Sequence, residues 1–89
     1  MGLQNRSYSK IEEQHIKFLF TPLLDKIKAD NTLDPEVTMK QMDMYNRGFL
    51  RNIYGIRQLM FNKKENILTI TIGLEDRKGL FILETNLGE

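Results

Sequence analysis

The chain contains no cysteine, which removes disulfides, cysteine-ligated zinc sites and thiol nucleophiles from consideration. Its only serines, Ser7 and Ser9, do not stand in a Gly-x-Ser-x-Gly nucleophile motif. Its six glycines are scattered and do not form a phosphate-binding loop. We therefore expect a protein that is not an enzyme, with no catalytic residues, no metal site and no cofactor.

Long hydrophobic runs are also missing, because no apolar stretch approaches the ~20 residues that span a bilayer. Residues 1–7 do not lead into the apolar segment of a secretory signal. We therefore expect a cytoplasmic protein with no membrane partner. Its 89 residues predict one domain, 1–89, with residues 1–8 and 86–89 frayed. Since so small a core supplies little net stability, self-association as a homodimer is also expected.

The first helix is predicted over residues 10–30. Ser9 and Glu12 have the spacing of a capping box. Apolar residues then recur every three or four positions, as on one face of a helix: Ile16, Leu19, Phe20, Leu23, Leu24 and Ile27. Pro22 interrupts this pattern, so we expect a kink there, with a second helix capped by Thr21 as the alternative.

A further helix start lies at Asp34, which precedes proline at the first helical position. The apolar spacing behind it continues through residues Met42, Tyr45, Phe49, Ile53 and Ile56. Gly48 interrupts this pattern, and it leaves two possibilities open. Either one helix tolerates the glycine, or a turn there separates helices over 35–47 and 49–60.

The last third of the chain changes to a period of two, which is typical of strands. Residues 68–74 alternate between Leu or Ile and Thr or Gly, and residues 80–85 are rich in β-forming residues. Polar turns are predicted at 62–66 and 75–79, while 57–61 is either a third strand or a helix end. The whole pattern predicts an α+β fold, with two helices, the first kinked at Pro22, followed by a two- or three-stranded antiparallel meander.

The net charge of +1 conceals an asymmetry, because residues 37–64 carry six basic side chains and one acidic side chain. Five of these basic residues are candidate contacts for nucleic acid or a protein partner: Arg47, Arg51, Arg57, Lys63 and Lys64. If the segment is helical, Arg47, Arg51 and Arg57 share one broad side, which could meet phosphates. With a turn at Gly48, the order of elements also fits a winged helix.

Two other features suggest sites of different kinds. Met39 and Met42 lie on one side of the second predicted helix, where they form either an apolar interface or part of the core. Glu12 and His15 have a spacing that is found in metal-binding helical bundles, and a homodimer would double that pair. An exposed His15 near a capping glutamate is the simpler interpretation.

Two functions follow from these observations. The first is a small non-enzymatic protein-interaction or regulatory protein, which acts as a homodimer through a strand edge or the methionine-bearing helix and binds an unidentified protein. The alternative is a small nucleic-acid-binding protein that uses the basic segment 37–64. The composition, rich in Ile, Leu, Lys and Asn, is typical of an A+T-rich bacterial or phage genome.

Overall fold

The computed structural model describes residues 8–42, 55–75 and 79–88. In these ranges, helix α1 (Lys10–Ala29) and helix α2 (Pro35–Gln41) precede strands β1 (Ile56–Lys64), β2 (Ile67–Leu74) and β3 (Leu80–Asn86). The strands form one antiparallel sheet in the order β1-β2-β3. The predicted α+β fold is therefore confirmed, in its three-stranded form. No helix in the described ranges is long and apolar enough to cross a membrane.

Helix α1 begins at the predicted capping box. The Ser9 hydroxyl accepts a hydrogen bond from the Glu12 amide at 3.1 Å, and the Glu12 carboxylate accepts one from the Ser9 amide at 2.9 Å. The helix continues through Pro22, and the Thr21 hydroxyl donates to the Lys17 carbonyl one turn earlier, so Thr21 does not cap a second helix. Because Pro22 is on the exposed side, water can satisfy the carbonyl that lacks an amide partner.

Helix α2 has Asp34 as its N-cap, as predicted, and the Asp34 side chain accepts a hydrogen bond from the Val37 amide. It ends at Gln41, with Met42 as its C-cap. The predicted continuation through Tyr45, Phe49 and Gly48 lies outside the described residues. Of the two alternatives for 57–61, the strand is confirmed and the helix end is wrong, because these residues lie in β1, where Gln58 to Phe61 pair with β2. The winged-helix arrangement requires residues 56–60 to be helical, whereas the structure places them in β1.

The hairpin between β1 and β2 is tighter than predicted. Residues 62–64 belong to β1, and only Glu65 and Asn66 form the turn, where Glu65 has a φ of 57°. Two of the residues predicted to fray at the C-terminal end, Asn86 and Leu87, make contacts with β2 and with the hairpin turn. Asn86 pairs with Ile67, while Leu87 is buried and its amide donates to the Asn66 carbonyl at 2.6 Å.

The core lies between α1 and one face of the sheet, which we call the inner face. The strand positions on that face alternate with those on the opposite, outer face, as the pleat requires. Helix α1 contributes Ile16, Phe20, Leu23 and Ile27 to a single buried cluster with the inner-face residues Leu68, Ile70, Ile72, Leu74, Phe81 and Leu83. No helix in the described ranges covers the outer face, so its side chains are the ones available for contacts.

Candidate interaction surface

The outer face carries a row of three side chains across the three strands. Met60 on β1 pairs with Thr71 on β2, which in turn pairs with Ile82 on β3. Met60 is 55% exposed and Ile82 is 52% exposed. Because neighbouring strands lie about 4.8 Å apart, the row extends roughly 10 Å across the sheet. Leu80, 45% exposed, lies next to it on the same face, so the apolar side chains form one group.

Polar side chains border this group on one side. The next row along the strands is Asn62, Thr69 and Glu84, and the last has Lys64 and Asn86 on either side of the apolar Ile67. An apolar centre beside a polar margin is the usual arrangement of a protein–protein interface. The outer face therefore has the composition of a contact surface.

Arg57 closes the opposite end of the outer face. It lies in a bulge of β1, between the pairs Ile56–Leu74 and Gln58–Gly73. Its guanidinium donates to the carbonyl of Leu74 at 2.9 Å and to that of Gly79 at 3.4 Å. Arg57 therefore links β1 to both ends of the connection between β2 and β3, which is a structural role that its charge alone did not indicate.

Gly73 makes room for this arginine. A Cβ atom at position 73 would lie 3.0 Å from the Arg57 Cζ atom and 3.1 Å from the Leu80 Cδ2 atom. The guanidinium therefore lies across the backbone of β2 where a side chain would otherwise stand. Tyr8 joins the same place from the N-terminal side, since its hydroxyl donates to the Gly79 carbonyl and its ring contacts Phe81, with centroids 5.6 Å apart.

The basic residues predicted as nucleic-acid or partner contacts do not form one patch in the described residues. Arg57 is at the beginning of β1, whereas Lys63 and Lys64 are at its end, roughly 20 Å away at the rise of a strand. Lys63 donates to the Asn31 carbonyl in the loop between the helices. Arg47 and Arg51 lie outside the described residues, so their prediction remains a prediction.

The two methionines predicted as an apolar interface are placed against the core. Met39 is 3% exposed and belongs to the buried cluster, and Met42 is partly buried and packs against it. Met39 therefore presents almost no surface to a partner. Of the methionines in the described ranges, Met60 is the exposed one. The sequence pattern did not separate it from the others, because it left 57–61 open between a strand and a helix end.

Two further candidate sites are the pair of Glu12 and His15 and a groove beside α2. Glu12 serves in the capping box, and His15 is exposed on α1. Among the described residues, no group of three or more potential metal-binding side chains lies together. A groove of about 230 Å³ between α2 and β1 is bordered by Glu36, Met39, Arg57 and Phe61, but Glu36 there forms an exposed ion pair with Lys40 at 3.7 Å.

Comparison of the chain with protein families, with curated proteins and with solved structures finds no match.

Proposed function

We propose that the protein is a non-enzymatic protein-interaction or regulatory protein of the cytoplasm, which binds another protein through the outer face of its sheet. The observation that carries this proposal is the exposed row of Met60, Thr71 and Ile82 with Leu80 beside it. Isolated apolar side chains are normal on protein surfaces, but adjacent ones that share a face are typical of interaction sites.

The helix layer offers a weaker alternative surface. Ile11 and Phe18 are 78% and 70% exposed on α1. They are seven residues apart, which separates them by about 10 Å along the helix axis. Gln14 and His15 lie between them in the sequence and are also exposed. The two side chains are therefore isolated from each other. The outer face differs because it groups three exposed apolar side chains: Leu80 and Ile82 are two residues apart on β3, and Thr71 lies between Ile82 and Met60.

Binding would remove the outer-face side chains from water. Each apolar side chain that becomes fully buried contributes about 1.5–3 kcal/mol. Three half-exposed side chains bury only part of their area on binding, so they support a transient contact rather than a permanent one. The polar row of Asn62, Thr69 and Glu84 would supply the hydrogen bonds that orient the partner.

Site-specific photo-crosslinking tests this proposal. A photoreactive amino acid replaces Met60 or Ile82 in one set of variants and Phe18 in a control, and each is irradiated in its host cell. We expect a distinct protein adduct from positions 60 and 82 and none from position 18. Adducts from position 18 alone, or none from any position, would contradict the proposal.

Nucleic-acid binding, the alternative function, is tested on the same purified protein. It predicts a mobility shift of mixed DNA and RNA at low salt that disappears at moderate salt, because phosphate neutralisation releases counterions. Such a shift, together with no adduct from positions 60 and 82, would favour this alternative.

A further inference from the structure

The two edges of the sheet differ in how they are protected against pairing with another chain. Strand β1 carries Arg57, Lys63 and Lys64 and contains a bulge, which are devices that block edge-to-edge association. Strand β3 contains no lysine, arginine or proline, and its register with β2 is continuous. Glu84 is its only charged residue. Of the two edges, β3 is therefore the one suited to accept another strand.

The backbone groups that β3 presents at this edge follow from its hydrogen bonds to β2. The Leu87 amide donates to the Asn66 carbonyl, next to the pair Asn86–Ile67. Since bonded and non-bonded pairs alternate in an antiparallel ladder, residues 81, 83 and 85 direct their backbone groups toward β2. Residues 80, 82, 84 and 86 therefore direct theirs outward. No strand in the described ranges pairs with β3 on that side.

We infer that β3 pairs antiparallel with β3 of a second copy of this chain, which joins the two sheets into one of six strands. This inference goes beyond the proposed function and does not depend on a partner at the outer face. A two-fold axis perpendicular to the sheet passes between the two paired Leu83 residues. It keeps both helix layers on one side of the joined sheet. Both outer faces then lie on the other side and form one continuous surface.

The register follows from length and charge. With the axis at Leu83, all seven residues of β3 pair, and Ile82 lies opposite Glu84 of the second copy. Moving the axis to Glu84 would shorten the overlap and place two carboxylates opposite each other, which destabilises a strand pair. With the axis at Leu83, two Leu83 side chains meet on the inner face and extend the row of Phe61, Ile70 and Leu83 across the dimer.

Light scattering after size exclusion tests the dimer on the full chain. We expect twice the 10.5 kDa of the chain, and we expect Glu84→Pro to reduce it to the monomer mass. Proline removes an outward-facing amide, which a monomeric edge strand tolerates. The matched control, Glu84→Gln, removes the charge but keeps the amide and should remain dimeric. A monomeric wild-type chain, or a dimer that survives Glu84→Pro, would overturn the inference.

Distances between spin labels keep the inference testable if Glu84→Pro does not fold. Because the chain has no cysteine, Glu84→Cys and Lys64→Cys each give one labelling site per copy. Strand spacing and rise place the two Glu84 Cα atoms about 8 Å apart in the edge-paired dimer and the two Lys64 Cα atoms roughly 30 Å apart. If the outer faces stacked instead, with the two-fold axis parallel to β2, both distances would be roughly 14 Å, and the inference would be wrong.

The two proposals fail separately. A monomer that still forms an adduct from Met60 with a different protein overturns the edge dimer and leaves the proposed function standing. An edge-paired dimer in which positions 60 and 82 form no adduct with a different protein supports the dimer and contradicts a partner on the outer face.

Discussion

The inner and outer faces of the sheet are made by the same three strands, yet different forces act on them. On the inner face, Leu68, Ile70 and Ile72 are at most 1% exposed and pack in one cluster with α1. On the outer face, Met60 and Ile82 keep about half of their surface in contact with water. The inner face therefore stabilises the domain, whereas the outer face leaves apolar side chains exposed to water.

The largest expected effect comes from removing a side chain that faces the sheet. Phe20 is fully buried, and Phe20→Ala should lower the free energy of unfolding by about 3–5 kcal/mol, because it leaves a cavity in the core. Phe18, two residues earlier on the same helix, is 70% exposed, so Phe18→Ala should change it by no more than about 0.5 kcal/mol. Urea denaturation measures both. Similar losses would mean that α1 does not pack on the sheet through the Phe20 side.

A smaller loss of stability is expected at Arg57, whose guanidinium bonds to two backbone carbonyls at the end of the outer face. Arg57→Met keeps the aliphatic stem but loses the bonds to the Leu74 and Gly79 carbonyls. Because this side chain is exposed to water, we expect a loss of only about 1–2 kcal/mol. Lys64→Met, at the other end of the same strand, is the control and should stay within about 0.5 kcal/mol. Equal values in urea denaturation would mean that Arg57 is a surface charge without a structural role.

Local signals in the sequence predicted much of this fold. Both helix starts have a side chain that caps the first turn, and β2 alternates strictly because one of its faces is buried and the other is not. Strand β1 was ambiguous because Met60, on the outer face, is as apolar as its inner-face neighbours Leu59 and Phe61. That continuous apolar stretch hides the period of two.

The candidate surface was much harder to predict than the fold. The charge of Arg57 made it a candidate contact, but its acceptors are carbonyls 17 and 22 residues later in the chain. Every residue has a backbone carbonyl, so the sequence does not indicate which ones accept. Met39 and Met60 look alike as residues, and only the packing of α2 and the strand register separate a core position from an exposed one. Tertiary contacts decide both cases.

The smallest effect on stability is expected at Asp30, in the loop between the two helices, near Lys63 at the polar end of the inner face. The Thr32 hydroxyl and then the Thr32 amide donate to the Asp30 carboxylate, and Lys63 lies nearby, so the pKa of Asp30 is held below its ordinary value of 3.8. A carboxylate with a lowered pKa stabilises the folded state above its unfolded pKa. This contribution is lost as the pH falls through the folded pKa.

An NMR titration of the Asp30 carboxyl group measures this pKa in three forms of the chain. Thr32→Val removes the hydroxyl donor and should raise the pKa of Asp30 toward 3.8, while Lys63→Ala, which removes the weaker influence, should raise it less. If Lys63→Ala had the larger effect, the charge at the end of β1 would dominate over the hydrogen bonds within the loop. The polar end of the inner face would then be joined to the helices by electrostatic attraction, and its stability would fall with added salt.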